Sequence, residues 1–143
     1  YYNEYKGYNC RIDELQAALL IEKLKFLDRD NNLRRNNAQY LSSNINNTNI
    51  ILPEKKYNES HVNHLYVIRT DKRNHFINYL NKKGIQTIIH YPIPPHKQNA
   101  YSEMNSSNFP VSEKIHETIV SLPSNIHLSD SQLDYIISVC NAY

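Results

Sequence analysis

The feature that most constrains this chain is a helix start at Asp13 followed by apolar residues at helical spacing. Asp13 and Gln16 stand three positions apart, a spacing that predicts a capping box in the first helical turn. Apolar side chains then recur along one face, and more thinly toward the end, at Leu15, Leu19, Ile21, Leu24, Leu27, Leu33, Ala38 and Leu41. The pattern predicts one helix of roughly 30 residues, about 45 Å long.

Such a helix is longer than one side of a domain built from 143 residues. Either it is an ordinary amphipathic core helix, or much of it packs on another domain or on a second subunit. The residues leave both alternatives open. Upstream of the helix, Gly7 is one of only two glycines in the chain, which predicts a positive φ or a close backbone approach at that position.

Composition argues against several classes of protein. The net charge is only +2 and the basic residues are scattered, so nothing indicates a nucleic-acid partner. No apolar run reaches the length of a membrane span and no signal peptide is recognisable, so we predict a cytoplasmic protein without a membrane partner. Cys10 and Cys140 stand near opposite ends, which favours reduced thiols. The chain opens on Tyr1 instead of Met, and we expect it to be an excerpt from a longer protein.

The remainder of the chain alternates between strand and helix signals. Residues 50–53 predict a short buried strand, and residues 64–69, rich in β-formers, predict a central strand. Thr70 or Asp71 is expected to cap the next helix, which ends at Gly84. A further strand is predicted over residues 85–90, so that strand, helix and strand follow one another.

Two helices complete the prediction. Pro110 opens one that runs through Ile119 and ends before Pro123, and Ser129 with Gln132 forms a capping box for the last. The fold class is therefore α/β, with a small mixed sheet, flanking helices and one long preceding helix. We divide the chain into a lead-in and long interdomain or dimer-contact helix, residues 1–48, and a small α/β domain, residues 49–143.

The second informative stretch, residues 89–101, combines histidines with three closely spaced prolines. Strand ends that lead into stiff loops are where α/β proteins bind ligands, so His90 and His96 are candidate binding residues. The alternatives are a hydrogen-bonded core histidine, a packing role for Tyr91 and a simple proline corner. A metal site is a further alternative, with imidazoles from His61, His64, His90 and His96, although their spacing matches no standard site and we predict no metal.

Four motifs in unbroken order carry a resemblance to a known family. They are Gly-x-Asn-x-Arg leading into Asp-Glu-Leu-Gln-Ala-Ala, then His-Leu-Tyr-Val-Ile-Arg, then Gly-Ile-x-Thr-x-Ile-His-Tyr-Pro-x-Pro-x-His-x-Gln, then Ser-Leu-Pro. The chain thereby resembles the C-terminal part of the DegT/DnrJ/EryC1/StrS aminotransferases, most closely those that act on dTDP-3-keto-6-deoxyhexoses. The resemblance implies the small domain of a fold-type I enzyme that uses pyridoxal 5′-phosphate.

The resemblance also implies roles for individual residues. Asn9 would reach the cofactor phosphate of the other subunit, and Arg11 would support that turn or the same anionic site; an amide donor suits a phosphate oxygen. Arg11 could equally pair with a carboxylate on its own helix. His90 would lie on the sugar-binding side of the pocket, with Tyr91 and His96 as further substrate-binding residues.

The family's Schiff-base lysine belongs to its large N-terminal domain, and no lysine of this chain stands in a matching motif. The resemblance therefore implies no catalytic residue within this chain, which should be inactive alone. The whole enzyme would be a homodimer that moves an amino group from glutamate to a dTDP-linked keto-sugar in amino-sugar biosynthesis. The alternative is a free-standing, non-catalytic ligand-binding or dimerisation module of the same fold.

Overall fold

The computed structural model describes residues 2–54 and 61–143. Its elements in chain order are α1 (Glu14–Leu24), α2 (Leu27–Asn44), β1 (Tyr66–Arg69), α3 (Arg73–Lys82), two 3₁₀ segments (Pro95–Lys97 and Asn99–Met104), α4 (Pro110–Thr118), β2 (Ile119–Leu122) and α5 (Asp130–Asn141). Within this described part of the chain, no helix combines the length and apolar character that crossing a membrane requires.

The sheet consists of β1 and β2, which pair antiparallel with Tyr66 opposite Leu122. Single bridges extend it on both sides, from Ile51 to β1 and from Ile88 to Ser121 of β2. The α/β class with helices around a small sheet is confirmed, but every described pairing is antiparallel, so the sheet is not the mixed one predicted. The segments predicted as strands at 50–53 and 85–90 contribute one bridging residue each.

Strand β2 replaces the last turn of a predicted helix. Helix α4 begins with Pro110 at a first-turn position, as predicted, but ends at Thr118 instead of continuing through Ile119. The Thr118 hydroxyl donates to the carbonyl of Lys114 at 2.8 Å, and all four residues of β2 are buried. Burial of a β-branched segment beside β1 therefore outweighs the helical periodicity that continues into it.

The long helix is interrupted. The backbone N–H of Phe26 donates to the carbonyl of Lys23 at 3.1 Å, which is a tighter i to i−3 turn, and α2 begins at Leu27. The guanidinium of Arg29 lies 4.9 Å from the centre of the Phe26 ring. The prediction of one continuous helix is therefore wrong, and two helices of 11 and 18 residues occupy this stretch.

The predicted helix caps are only partly observed. The Asp13 carboxylate accepts from the Leu15 N–H at 2.8 Å, and Ser129 forms its predicted capping box. Helix α3 starts later than predicted, with Lys72 at its cap. Asp71, one of the two expected caps, pairs instead with Lys114 at 2.8 Å.

The two glycines differ. Gly84 has a φ of +75°, which is the left-handed conformation expected just after a helix. Gly7 has no positive φ, and no described atom lies within 4 Å of the position that a Cβ would occupy there. The prediction of a special backbone requirement at Gly7 was therefore wrong.

The core lies between the sheet and helices α2, α3 and α5. Its residues are Ala38, Leu41, Ile45, Ile50, Tyr66, Ile68, Phe76, Leu80, Ile85, Val120, Leu122, Leu133, Ile136, Ile137, Val139 and Cys140. The Tyr66 and Ser42 hydroxyls are 2.7 Å apart inside it and join β1 to α2. Both cysteines are free, and burial raises the pKa of the Cys140 thiol to about 12, so this thiol is unreactive at neutral pH.

Helix α1 contributes nothing to this core. None of its residues is buried, and Leu15 and Leu24 are 71% and 61% exposed. In α2, by contrast, Ala38 and Leu41 are fully buried. The core-helix alternative therefore applies to the second half of the predicted helix, and the first half presents its apolar face outward.

Candidate functional site

A cleft with a volume of about 580 Å³ lies between α2, β2 and the segment that leads to His90. A cleft of this size falls within the range of small-molecule sites. Its described lining includes Arg34, His64, His90 and Ser121 and contains neither aspartate nor glutamate. The cleft therefore presents hydrogen-bond donors and one fixed positive charge.

His90 is held in this cleft by the sheet. Ser121 donates its N–H to the Ile88 carbonyl at 2.8 Å, which places β2 beside the backbone that precedes His90. The His90 Nδ1 atom then lies 2.8 Å from the Ser121 hydroxyl oxygen. Sequence reasoning missed Ser121, although a polar residue inside a buried Ile-Val-Ser-Leu run was a usable signal. The contact fixes the orientation of the imidazole ring within the cleft.

Tyr91 lies next to His90 but lines a different cavity. Its ring meets the His90 ring edge to face, with centroids 5.7 Å apart, and its carbonyl oxygen is 2.5 Å from Nδ1 of His116. The cavity it lines, about 350 Å³, also includes Asn3 and Gln98. The two neighbouring residues of the predicted site therefore point toward separate spaces.

His96 is a buried side chain with a carboxylate partner. Its Nε2 atom is 2.9 Å from Oε1 of Glu113, only 4% of its surface is exposed, and its ring packs against Phe109 at a centroid distance of 4.8 Å. It lines a third, small cavity that does not include His90. The pair of His96 and Glu113 therefore connects the 3₁₀ segments to α4.

We expect Glu113→Gln to weaken the contact between His96 and α4 and so to lower the stability of the fold. The hydrogen bond from His96, the Phe109 backbone N–H and the Lys97 charge hold the Glu113 pKa below its usual value. Because the pKa of Glu113 is lower in the folded state than its ordinary value of 4.5, the ionised carboxylate stabilises the folded state at pH values above 4.5. This stabilisation is lost as the pH falls through the folded-state pKa. Thermal unfolding between pH 3 and pH 7 should show a lower midpoint for Glu113→Gln near neutrality, and this difference should shrink as the pH falls from about 4.5 through the lowered folded-state pKa. A difference that stays constant over this range would contradict the role given to the carboxylate.

The lead-in is anchored to the same 3₁₀ region. The Ala100 N–H donates to the Asn3 carbonyl at 2.8 Å, and the Asn99 amide donates to the Glu4 carboxylate at 3.0 Å. Lys6 forms an ion pair with Glu103. The path of the chain from residue 3 to residue 6 is therefore fixed on the body of the domain.

Asn9 and Arg11 follow this anchored segment and precede the Asp13 cap of α1. Both are exposed. An amide and a guanidinium offer donors that suit the oxygens of a phosphate, so the donor set fits the phosphate of the cofactor that the resemblance implies. Within residues 2–54 and 61–143, no group of three or more His, Cys, Asp or Glu side chains could hold a metal ion.

Comparison with known proteins identifies the class. The family model of the DegT/DnrJ/EryC1/StrS aminotransferases matches residues 1–141. The dTDP-3-amino-3,6-dideoxy-alpha-D-galactopyranose transaminase of Aneurinibacillus thermoaerophilus is 48% identical over 143 residues, which cover 100% of this chain and 39% of that protein. The chain therefore belongs to the DegT/DnrJ/EryC1/StrS aminotransferase family.

Solved structures agree with this assignment. The structure of S. venezuelae DesV in complex with a ketimine intermediate superposes with a TM-score of 0.84 at 34% identity, over 97% of this chain and 38% of that one. The structure of NtdA from Bacillus subtilis with bound cofactor PMP superposes with a TM-score of 0.75 at 30% identity, over 94% of this chain and 33% of that one. The chain spans about two fifths of the length of the curated relative named above.

Proposed function

We propose that this chain is the C-terminal part of a pyridoxal-phosphate-dependent aminotransferase that transfers an amino group from glutamate to a dTDP-linked keto-6-deoxyhexose. The continuous match of residues 1–141 to one aminotransferase family carries the proposal. The similarity to a dTDP-sugar transaminase supports the substrate class. The test is an assay of the protein that contains this chain, with glutamate and a dTDP-3-keto-6-deoxyhexose, and with the amino sugar detected by mass spectrometry.

In this proposal the chain completes a site that another part of the protein supplies. Asn9 and Arg11 would hold the phosphate of pyridoxal phosphate across a homodimer interface; when bound, that cofactor supplies the electron sink for amino transfer. Their exposure, next to a lead-in anchored at Asn3, supports this role because both side chains are available to a neighbouring subunit. The exposed apolar face of α1 supports the same interface.

The proposal gives His90 the task of holding the hexose. Ser121 engages its Nδ1 atom and holds the ring in the cleft, and an imidazole can hydrogen-bond a sugar hydroxyl. Tyr91 and His96 remain proposed substrate-binding residues. For His96 the buried pair with Glu113 favours an indirect contribution through the loop.

We expect His90→Ala to raise the KM for the keto-sugar roughly threefold to tenfold, the equivalent of one neutral hydrogen bond worth about 0.5–1.5 kcal/mol. The kcat should change little, because the bond forms in both ground and transition states. The half-reaction with glutamate, which does not involve the hexose, should be nearly unchanged. Steady-state and single-turnover kinetics measure the two halves separately.

Two further variants make this result interpretable. His127→Ala removes an exposed histidine that does not line the cleft and should behave as the parent protein does. His90→Gln keeps a polar side chain beside Ser121 and replaces His90→Ala in the test if the alanine variant does not fold. Thermal unfolding shows whether each variant is folded. An equal fall in both half-reactions of a folded variant would make His90 a catalytic residue and refute its assignment to the hexose.

A further inference from the structure

Arg34 differs from the other arginines that follow Asp13. Arg29, Arg35, Arg69 and Arg73 each donate to an oxygen of a described residue. Arg34 forms no hydrogen bond or ion pair within residues 2–54 and 61–143, although it is half-buried and lines the cleft that contains His90.

The acidic residue best placed to neutralise Arg34 is already occupied. Asp30 stands four positions earlier on α2, the spacing at which helical ion pairs form. Its carboxylate is bound instead by Arg29, through Nε at 3.0 Å and Nη2 at 2.8 Å. Because the described lining of the cleft contains no carboxylate either, no described side chain compensates the positive charge of Arg34 there.

The rest of the cleft is suited to an anion. Its polar lining includes the Asn81, Gln86 and Asn125 amides and the imidazole of His64. Guanidinium groups bind phosphate oxygens in pairs through their planar fork, and the attraction is stronger in a partly enclosed space than in open water. A volume of about 580 Å³ leaves room for more than a hexose ring beside His90.

We propose that Arg34 binds the diphosphate of the nucleotide-linked sugar whose hexose contacts His90. This inference rests on the proposed function for the substrate class, and it adds a specificity-determining residue on α2. Arg34 thereby selects sugars that carry an anionic diphosphate substituent over free sugars. The carboxylate of the amino donor offers the same chemistry from another source, and the experiment separates the two.

The experiment compares Arg34→Gln with Arg35→Gln in the protein that contains this chain. Arg35 is the adjacent arginine on α2 and does not line the cleft. Calorimetry measures binding of dTDP, inorganic pyrophosphate, thymidine and glutamate to each protein, and kinetics give KM for the keto-sugar. We expect Arg34→Gln to weaken dTDP and pyrophosphate binding and to raise the keto-sugar KM, each roughly tenfold to hundredfold, while thymidine and glutamate binding stay unchanged. Arg35→Gln should match the parent protein.

Two other outcomes overturn the inference. Weaker glutamate binding with unchanged dTDP binding would assign Arg34 to the donor carboxylate. Unchanged binding of all four ligands together with lower thermal stability would make Arg34 a structural contact to the remainder of the protein. Two results separate this inference from the proposed function. If the parent protein binds dTDP through Arg34 but does not transaminate, the proposed function fails and the diphosphate site stands. If the parent protein transaminates and Arg34→Gln has no effect, the proposed function stands and the inference about Arg34 fails.

Discussion

The isolated 143-residue chain is expected to show no transaminase activity and to carry no covalently attached pyridoxal phosphate. A lysine that captures the cofactor aldehyde must be partly deprotonated, which enzymes achieve by burial or by nearby positive charge. Every described lysine is exposed, and the hydrogen bond from Lys6 to Glu103 raises the Lys6 pKa. None of the described lysines therefore lies in an environment that activates such a nucleophile.

Borohydride reduction followed by mass spectrometry provides the measurement. Surface lysines react weakly and at many positions, so the expected pattern is a low, distributed modification with activity at background. The protein that contains this chain serves as the positive control. Stoichiometric modification of a single lysine in the isolated chain, together with turnover of glutamate, would contradict the prediction and the proposed division of labour.

Loss of Asn9 is expected to inactivate the site of the opposite subunit in a homodimeric enzyme. An Asn9→Ala subunit and a subunit without the Schiff-base lysine should each be inactive alone. In a mixed dimer both lesions fall in the same site, so the other site has an intact lysine and an intact Asn9. Random exchange makes half of the dimers mixed, and activity should recover to roughly a quarter of that of the parent protein.

The control is each variant mixed with itself, which should give no recovery. Native mass spectrometry shows whether mixed dimers form, and this makes a negative result informative. Mixed dimers without activity would mean that Asn9 serves its own subunit, whereas an active Asn9→Ala homodimer would mean that Asn9 has no part in cofactor binding. A parent protein that is monomeric would contradict the shared site directly.

Local chemistry explains where the sequence-based prediction succeeded. The Asp13 cap, the left-handed Gly84, the first-turn Pro110 and the Ser129 capping box each depend on a few neighbouring residues. The break at Phe26 was missed because no glycine or proline marks it. Strand β2 was missed because its helical periodicity continues that of α4.

The candidate site was predictable residue by residue but not as an arrangement. His90, Tyr91 and His96 stand within one short stretch, yet they line three separate cavities. Their partners lie far along the chain, since Ser121 is 31 positions from His90 and Glu113 is 17 from His96. Arg34, which has no motif around it, could be recognised only from the cleft that it lines.

By itself, then, the sequence determined the family, the α/β class and most helix boundaries, because motif order and capping chemistry are local properties of the chain. The tertiary structure decided which half of the predicted long helix is buried and which residues face the cleft. It also decided that His96 pairs with Glu113, while Arg34 has no ionic partner among the described residues. The physical reason is that burial and hydrogen-bond pairing depend on contacts between distant segments, which form only when β1, β2 and the helices pack around one core.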